Sequence, residues 1–122
     1  MAAGVGGKRP IVQRAASYWK PDREKERGMK TLTGETLERE MRSLPKWRLE
    51  GGAIVRQMEF PAFAEAVAYV NRVATEAEAA NHHPDIDIRY NRVKLTLVSH
   101  DAGGLTERDI RMARTLDKLD PA

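Results

Sequence analysis

A chain of 122 residues is the length of one domain of about 100–150 residues, which excludes a multi-domain enzyme with a separate substrate domain. Hydrophobic residues make up 41% and supply a core, yet no apolar run approaches the ~20 residues that span a bilayer. With no cysteine, disulfide scaffolds, thiolate catalysis and cysteine-ligated zinc or iron–sulfur centres are excluded.

The net charge of +3 is unevenly spread. Residues 1–28 hold seven Lys/Arg and three acids, a local +4, while the remainder holds 14 basic and 15 acidic residues, a local −1. The folded body therefore lacks the basic face that nucleic acid requires, and no nucleic-acid partner is expected for it. The first residues also lack the apolar core of ~7–15 residues of a secretory signal, so a cytoplasmic protein without a membrane partner is expected.

In chain order, residues 1–28 are Gly-rich and then charge-rich, with no period of 2 or 3.6. They are expected to be a basic, flexible N-terminal extension, or the result of a start placed upstream of Met29. Residues 29–122 are expected to form the domain. Trp19 and Tyr18 are the large aromatics that could pin the extension to it.

Thr33 is placed to cap a short helix reaching about Ser43, with Leu37, Met41 and Leu44 on one face and Pro45 as the stop. Residues 47–50 and 53–60 read as two strands joined at Gly51-Gly52. Pro61 suits the first turn of a following helix, where a missing N–H has no partner to lose. Phe63, Val67, Val70, Ala74 and Ala77 then recur at helical spacing and predict one apolar stripe, ending near Asn81.

Ile86, Ile88 and Tyr90 alternate with polar residues as a third strand, with Asn91-Arg92 as the tight turn. Val93, Leu95 and Leu97 alternate along a fourth strand that runs to His100. Gly103-Gly104 breaks it, permitting a positive φ without forming a phosphate loop. Thr106 opens a last helix with Ile110, Ala113, Leu116 and Leu119 on its apolar face. The order helix, two strands, helix, two strands, helix predicts an α+β fold: a four-stranded antiparallel sheet with three helices packed on one face, a two-layer sandwich.

All three histidines, His82, His83 and His100, fall at element ends. If strands three and four form a hairpin, their outer ends lie side by side, and the corner at His82 and His83 faces His100. Imidazole has an ordinary pKa of about 6.5, so a cluster can hold one protonated and one neutral ring near pH 7. Such a pair suits simultaneous proton donation and acceptance. A catalytic zinc is the weaker alternative, because adjacent histidines diverge in extended chain and no His-x-x-x-His spacing occurs. No metal is expected.

Asp109 has two readings. With Thr106 it forms a capping-box pattern, in which the acid bonds back to the cap's N–H. It can also orient or charge a nearby histidine. Glu78 and Asn81 sit on the last helical turn beside the histidines.

Read together, these residues resemble the pterin-4a-carbinolamine dehydratase family. The resemblance rests on the corner His82-His83-Pro84, the turn Tyr90-Asn91-Arg92-Val93, the strand end Ser99-His100 and the helix start from Gly104-Leu105-Thr106 to Asp109. Leu44-Pro45 with Trp47, and the segment Phe60 to Phe63, also match. It spans residues 31–119.

The resemblance implies dehydration of 4a-hydroxytetrahydropterin to quinonoid dihydropterin, with the pterin as substrate and no cofactor. It places the catalytic roles on His82, His83, His100 and Asp109. Pterin contacts fall on Glu78, Asn81, Pro84, Val98, Ser99 and Asp101. It also implies a homodimer or homotetramer. As an alternative it implies a noncatalytic assembly role, either as a transcription-factor dimerisation cofactor or as an assembly chaperone of a carbon-fixing enzyme. The chain departs from the family pattern at Ala79, Asn81 and Ile86.

Overall fold

The structure, a computed structural model, describes residues 30–120; the basic extension of residues 1–28, with Tyr18 and Trp19, lies outside the described residues. Three α-helices and four strands follow one another as α1 (Gly34–Arg42), β1 (Arg48–Glu50), β2 (Ala53–Glu59), α2 (Phe63–Ala80), β3 (Asp85–Arg89), β4 (Arg92–Leu97) and α3 (Glu107–Asp117), with a 3₁₀ turn at His100–Ala102. The sheet order is β1-β2-β4-β3, and every pairing is antiparallel. This is the α+β two-layer architecture expected from the order of elements.

One face of the sheet carries Ile54, Val93, Leu95 and Leu97, all buried against Ala66, Tyr69 and Val73 of α2 and Ile110, Ala113 and Leu116 of α3. Strand periodicity explains why: alternate side chains share a face, and here those are the apolar ones. Gln57, Lys94 and Asp87, aligned by register, share the opposite face.

Several local features differ from the sequence reading. The core stripe of α2 is Ala66, Tyr69, Val73 and Ala77, whereas Phe63 is 52% exposed and Val67 and Val70 are half-buried. The helix is apolar on more than one side. Spacing alone selects the larger aliphatic row, but Tyr69 fills the core space beside Phe60 with ring centroids 5.2 Å apart. Pro61 precedes the helix instead of entering it, because Ala62 is the residue with extended dihedrals at the helix start. The β3–β4 turn is Tyr90-Asn91, not Asn91-Arg92, since Arg89 pairs with Arg92.

Tyr90 carries the positive φ of that turn, 56°, a conformation uncommon for a bulky residue. Asn91 holds it in place: its side-chain amide donates to Phe60 O at 2.7 Å, while its own carbonyl accepts from Phe60 N at 2.8 Å. The strand β4 stops at Leu97, and His100 opens the 3₁₀ turn instead of ending the strand. No helix among the described residues is long and apolar enough to cross a membrane.

Candidate active site

The C-terminal end of α2 sets the first half of the site. Asn81 adopts the left-handed conformation (φ 52°), which asparagine tolerates better than most non-glycine residues. The chain closes on the helix through Asn81 N–H to Glu78 O at 3.3 Å and His82 N–H to Ala77 O at 3.1 Å. This Schellman-type reversal turns His82 inward. Its ring is buried, and Nε2 lies 2.6 Å from Oδ1 of Asp109.

The second half comes from the end of β4. The register Asp85↔Thr96 runs the segment before β3 alongside the segment after Leu97. Ser99 and Gly104 then pair across the 3₁₀ turn, with Ser99 N–H donating to Gly104 O at 3.0 Å and Gly104 N–H to Ser99 O at 3.2 Å. Gly103 takes the positive φ of 80° that closes this loop. His100 stands on it, exposed, and its imidazole has no hydrogen-bond or ion-pair partner among the described residues.

Asp109 joins the two halves. It is fully buried on the first turn of α3, and the two readings of its role hold together. Its Oδ2 completes the capping box by accepting from Thr106 N at 2.9 Å, and also accepts from Ser99 Oγ at 2.9 Å. Its Oδ1 faces His82. A backbone N–H can only donate, so Oδ2 is the acceptor toward Thr106. Where Oδ1 accepts as well, the hydrogen shared with His82 sits on Nε2 and Nδ1 is left as the ring's second polar atom.

His83 is set apart from His82. Its Nε2 lies 2.6 Å from Oε2 of Glu78, and both side chains are exposed, at 52% and 75%. Of the other candidates, Pro84 is buried, Val98 half-buried, and Asn81 exposed at the helix end. Asp101 accepts from Arg108 Nη2 at 2.7 Å. Ser99 is 1% exposed, and its hydroxyl is committed to Asp109 and Thr106.

Thr106 escaped the sequence reading except as a cap; the signal that could have found it is a hydroxyl on either side of a buried acid. No group of three or more His, Asp or Glu among the described residues is arranged to hold a metal ion. A separate open groove of about 660 Å³, lined in part by Gln57, Glu59, Arg89 and Arg92, lies at the opposite end of the sheet from the histidines.

Residues 30–119 match the family model described as pterin 4 alpha carbinolamine dehydratase. A protein of Acidobacterium capsulatum with the provisional name pterin-4-alpha-carbinolamine dehydratase is 55% identical over 91 residues, covering 75% of this chain and 99% of that one. A similarly named protein of Thermomicrobium roseum is 53% identical, covering 75% and 98%. Among solved structures, a transcriptional coactivator/pterin dehydratase from Brucella melitensis matches with a TM-score of 0.71 and 35% identity, over 75% of this chain and 100% of that one. A pterin dehydratase-like protein identified as a RuBisCO assembly factor in the alpha-carboxysome matches with a TM-score of 0.52 and 25% identity, over 61% and 88%. With the family model covering most of its length and relatives matching at half their residues, the chain belongs to the pterin-4a-carbinolamine dehydratase family.

Proposed function

We propose that the protein dehydrates 4a-hydroxytetrahydropterin to quinonoid dihydropterin and water by histidine acid–base chemistry. The observation that carries this reading is the buried Asp109 carboxylate aimed at His82 beside the turn that presents His100. Breaking the C4a–O bond needs a proton on the departing hydroxyl. The electron pair that replaces it comes from the pterin ring nitrogen, which gives up its own proton. One imidazolium and one neutral imidazole within reach of the same ligand can perform both transfers.

His82 suits the base. Its Nε2–H points to Asp109, its Nδ1 is the acceptor, and the buried carboxylate stabilises the imidazolium formed on proton uptake. His100, whose imidazole has no protein partner among the described residues, suits the acid that protonates the hydroxyl. His83, steadied by Glu78, positions that hydroxyl. The pterin is the substrate, and this reading calls for no cofactor.

Self-association as a homodimer or homotetramer belongs to the same reading; Phe63, 52% exposed on α2, is an apolar side chain such contacts would cover. The likeness to the RuBisCO assembly factor keeps a noncatalytic assembly role as the alternative outcome. The test is a coupled dehydration assay on the full chain with synthetic 4a-hydroxytetrahydropterin. Acceleration over the buffer rate, lost in both His82→Ala and His100→Ala, supports the enzyme. A folded protein with no acceleration overturns it in favour of an assembly role.

A further inference from the structure

Ser99 is 1% exposed, and its hydroxyl lies between two fully buried groups, Thr106 Oγ1 at 2.8 Å and Asp109 Oδ2 at 2.9 Å. The direction of the hydrogens follows from the ends of the chain. Arg108 N–H donates to Thr106 Oγ1 at 3.2 Å, which occupies an acceptor site there and leaves the Thr106 hydroxyl hydrogen for Ser99. Ser99 in turn gives its own hydrogen to the carboxylate, which accepts only. The series therefore runs Thr106 O–H to Ser99 O–H to Asp109, and ends at the Nε2–H of His82 on the other carboxylate oxygen.

The main chain of the same serine closes the loop that carries His100. It exchanges two hydrogen bonds with Gly104, and its carbonyl also accepts from Ala102 N at 3.1 Å. One residue thus ties the carboxylate that aims His82 to the turn that presents His100. A hydroxyl so fully occupied and buried is poorly placed to hydrogen-bond a substrate.

We infer that Ser99 is a positioning residue: its hydroxyl fixes the Asp109 carboxylate, thereby holds His82 in the Nε2–H tautomer, and keeps that ring in register with His100. The catalytic half of this inference rests on the proposed dehydration; the tautomer half does not. Without the hydroxyl, Oδ2 keeps only the Thr106 N–H, the carboxylate gains freedom to rotate, and Nε2 of His82 loses its fixed acceptor.

The first measurement is made on the unaltered full chain by ¹⁵N-imidazole NMR. His82 is expected as the Nε2–H tautomer with a slowly exchanging ring proton; a predominant Nδ1–H tautomer overturns the inference. The second compares Ser99→Ala with Ser99→Thr, which keeps the hydroxyl. Ser99→Ala is expected to mix the two His82 tautomers and to lower kcat roughly ten- to a hundredfold with KM little changed, the rate consequence of one hydrogen bond to a charged acceptor. Ser99→Thr is expected to restore both.

A raised KM with unchanged kcat in Ser99→Ala marks a direct substrate contact and overturns the inference, as does an unchanged His82 spectrum. If Ser99→Ala does not fold, Ser99→Thr and Ser99→Val, nearly equal in shape, replace it, and the same His82 signals decide. If the spectra behave as expected while no dehydration is seen in any form, the proposed function fails and the structural role of Ser99 stands.

Discussion

His82 and Ser99 meet on one carboxylate: the ring nitrogen lies 2.6 Å from Oδ1 of Asp109, and the serine hydroxyl lies 2.9 Å from Oδ2. Two segments separated by strands β3 and β4 are thereby joined by an acid at the start of α3. The helix cap and the histidine orienter are the same side chain.

Replacing the carboxylate by an amide of the same shape isolates that double role. In Asp109→Asn the amide oxygen is expected to stay toward Thr106 N–H, which puts the NH₂ toward His82 and forces Nε2 to accept. The ring is then in the wrong tautomer, and kcat is expected to fall about 10³-fold or more. The capping bond survives, so the stability cost is expected at about 1–3 kcal/mol. Stopped-flow dehydration and urea melts check both. A variant that keeps more than about a tenth of the rate would show that Asp109 only caps the helix.

His100 offers the opposite balance. Its imidazole is exposed and without a partner among the described residues, so His100→Ala is expected to change stability by no more than about 0.5 kcal/mol. The dehydration rate is expected to drop by about 10²–10⁴, the usual contribution of one positioned acid or base. A thermal melt and the coupled assay on the same sample separate the two effects. An unaltered rate would remove His100 from the acid–base pair.

How far the sequence could be read follows from which residues act through local pattern and which through distant contact. The strand alternation of Val93, Leu95 and Leu97 names three buried side chains because period 2 is set by the backbone itself. The capping box at Thr106 and Asp109 is equally local, since cap and acid are three residues apart. Spacing alone does not identify the α2 core stripe, because apolar residues lie on several sides of that helix and only tertiary packing chooses Tyr69 over Val67. The commitment of Ser99 to Asp109 is a contact ten residues apart that the capping pattern alone does not announce.

Away from the site, Arg56 anchors the end of α3 to the sheet. Its side chain is 8% exposed and donates to Asp117 at 2.7 Å and to Asp120 at 2.8 Å, while Trp47 Nε1 also donates to Asp117 at 2.9 Å. Removing Arg56 leaves Asp117 with Trp47 and Asp120 with Lys46 as their remaining partners, so Arg56→Ala is expected to cost about 1.5–3 kcal/mol in a urea melt. Burial works to raise the Asp120 carboxyl, but the hydrogen bonds from Arg56 and Lys46 outweigh it and hold it below the ordinary 3.8. A carboxyl lowered on folding stabilises the protein above its unfolded value and loses that contribution as pH falls through the folded one. Stability is therefore expected to decline below about pH 4, and Asp120→Asn is expected to flatten that decline. An identical acid limb in the variant would assign the acid sensitivity to other carboxylates.

Tyr69 governs the opposite end of the pH scale. It is fully buried in the core, and its hydroxyl has no hydrogen-bond partner among the described residues. Burial pushes the phenol up from 10.0 to about 12, against the smaller opposing pull of the Arg56 charge. The folded state thus holds the proton more tightly than the unfolded chain. The sign follows: this stabilisation is complete below the unfolded value of 10.0 and is lost as pH rises toward the folded value of about 12. The total loss across that window is roughly 2–3 kcal/mol. Tyr69→Phe removes the titrating group while keeping the ring that packs on Phe60. Its stability at neutral pH is expected to equal that of the unaltered chain or exceed it by up to about 1 kcal/mol, since a buried hydroxyl without a partner only costs free energy. Urea melts of both proteins at pH 8 and at about pH 11 decide the matter through the difference between their slopes, which cancels the lysines common to both. Parallel slopes would mean that the Tyr69 proton is not held by the fold, and that the hydroxyl reaches solvent on a timescale the static packing does not display.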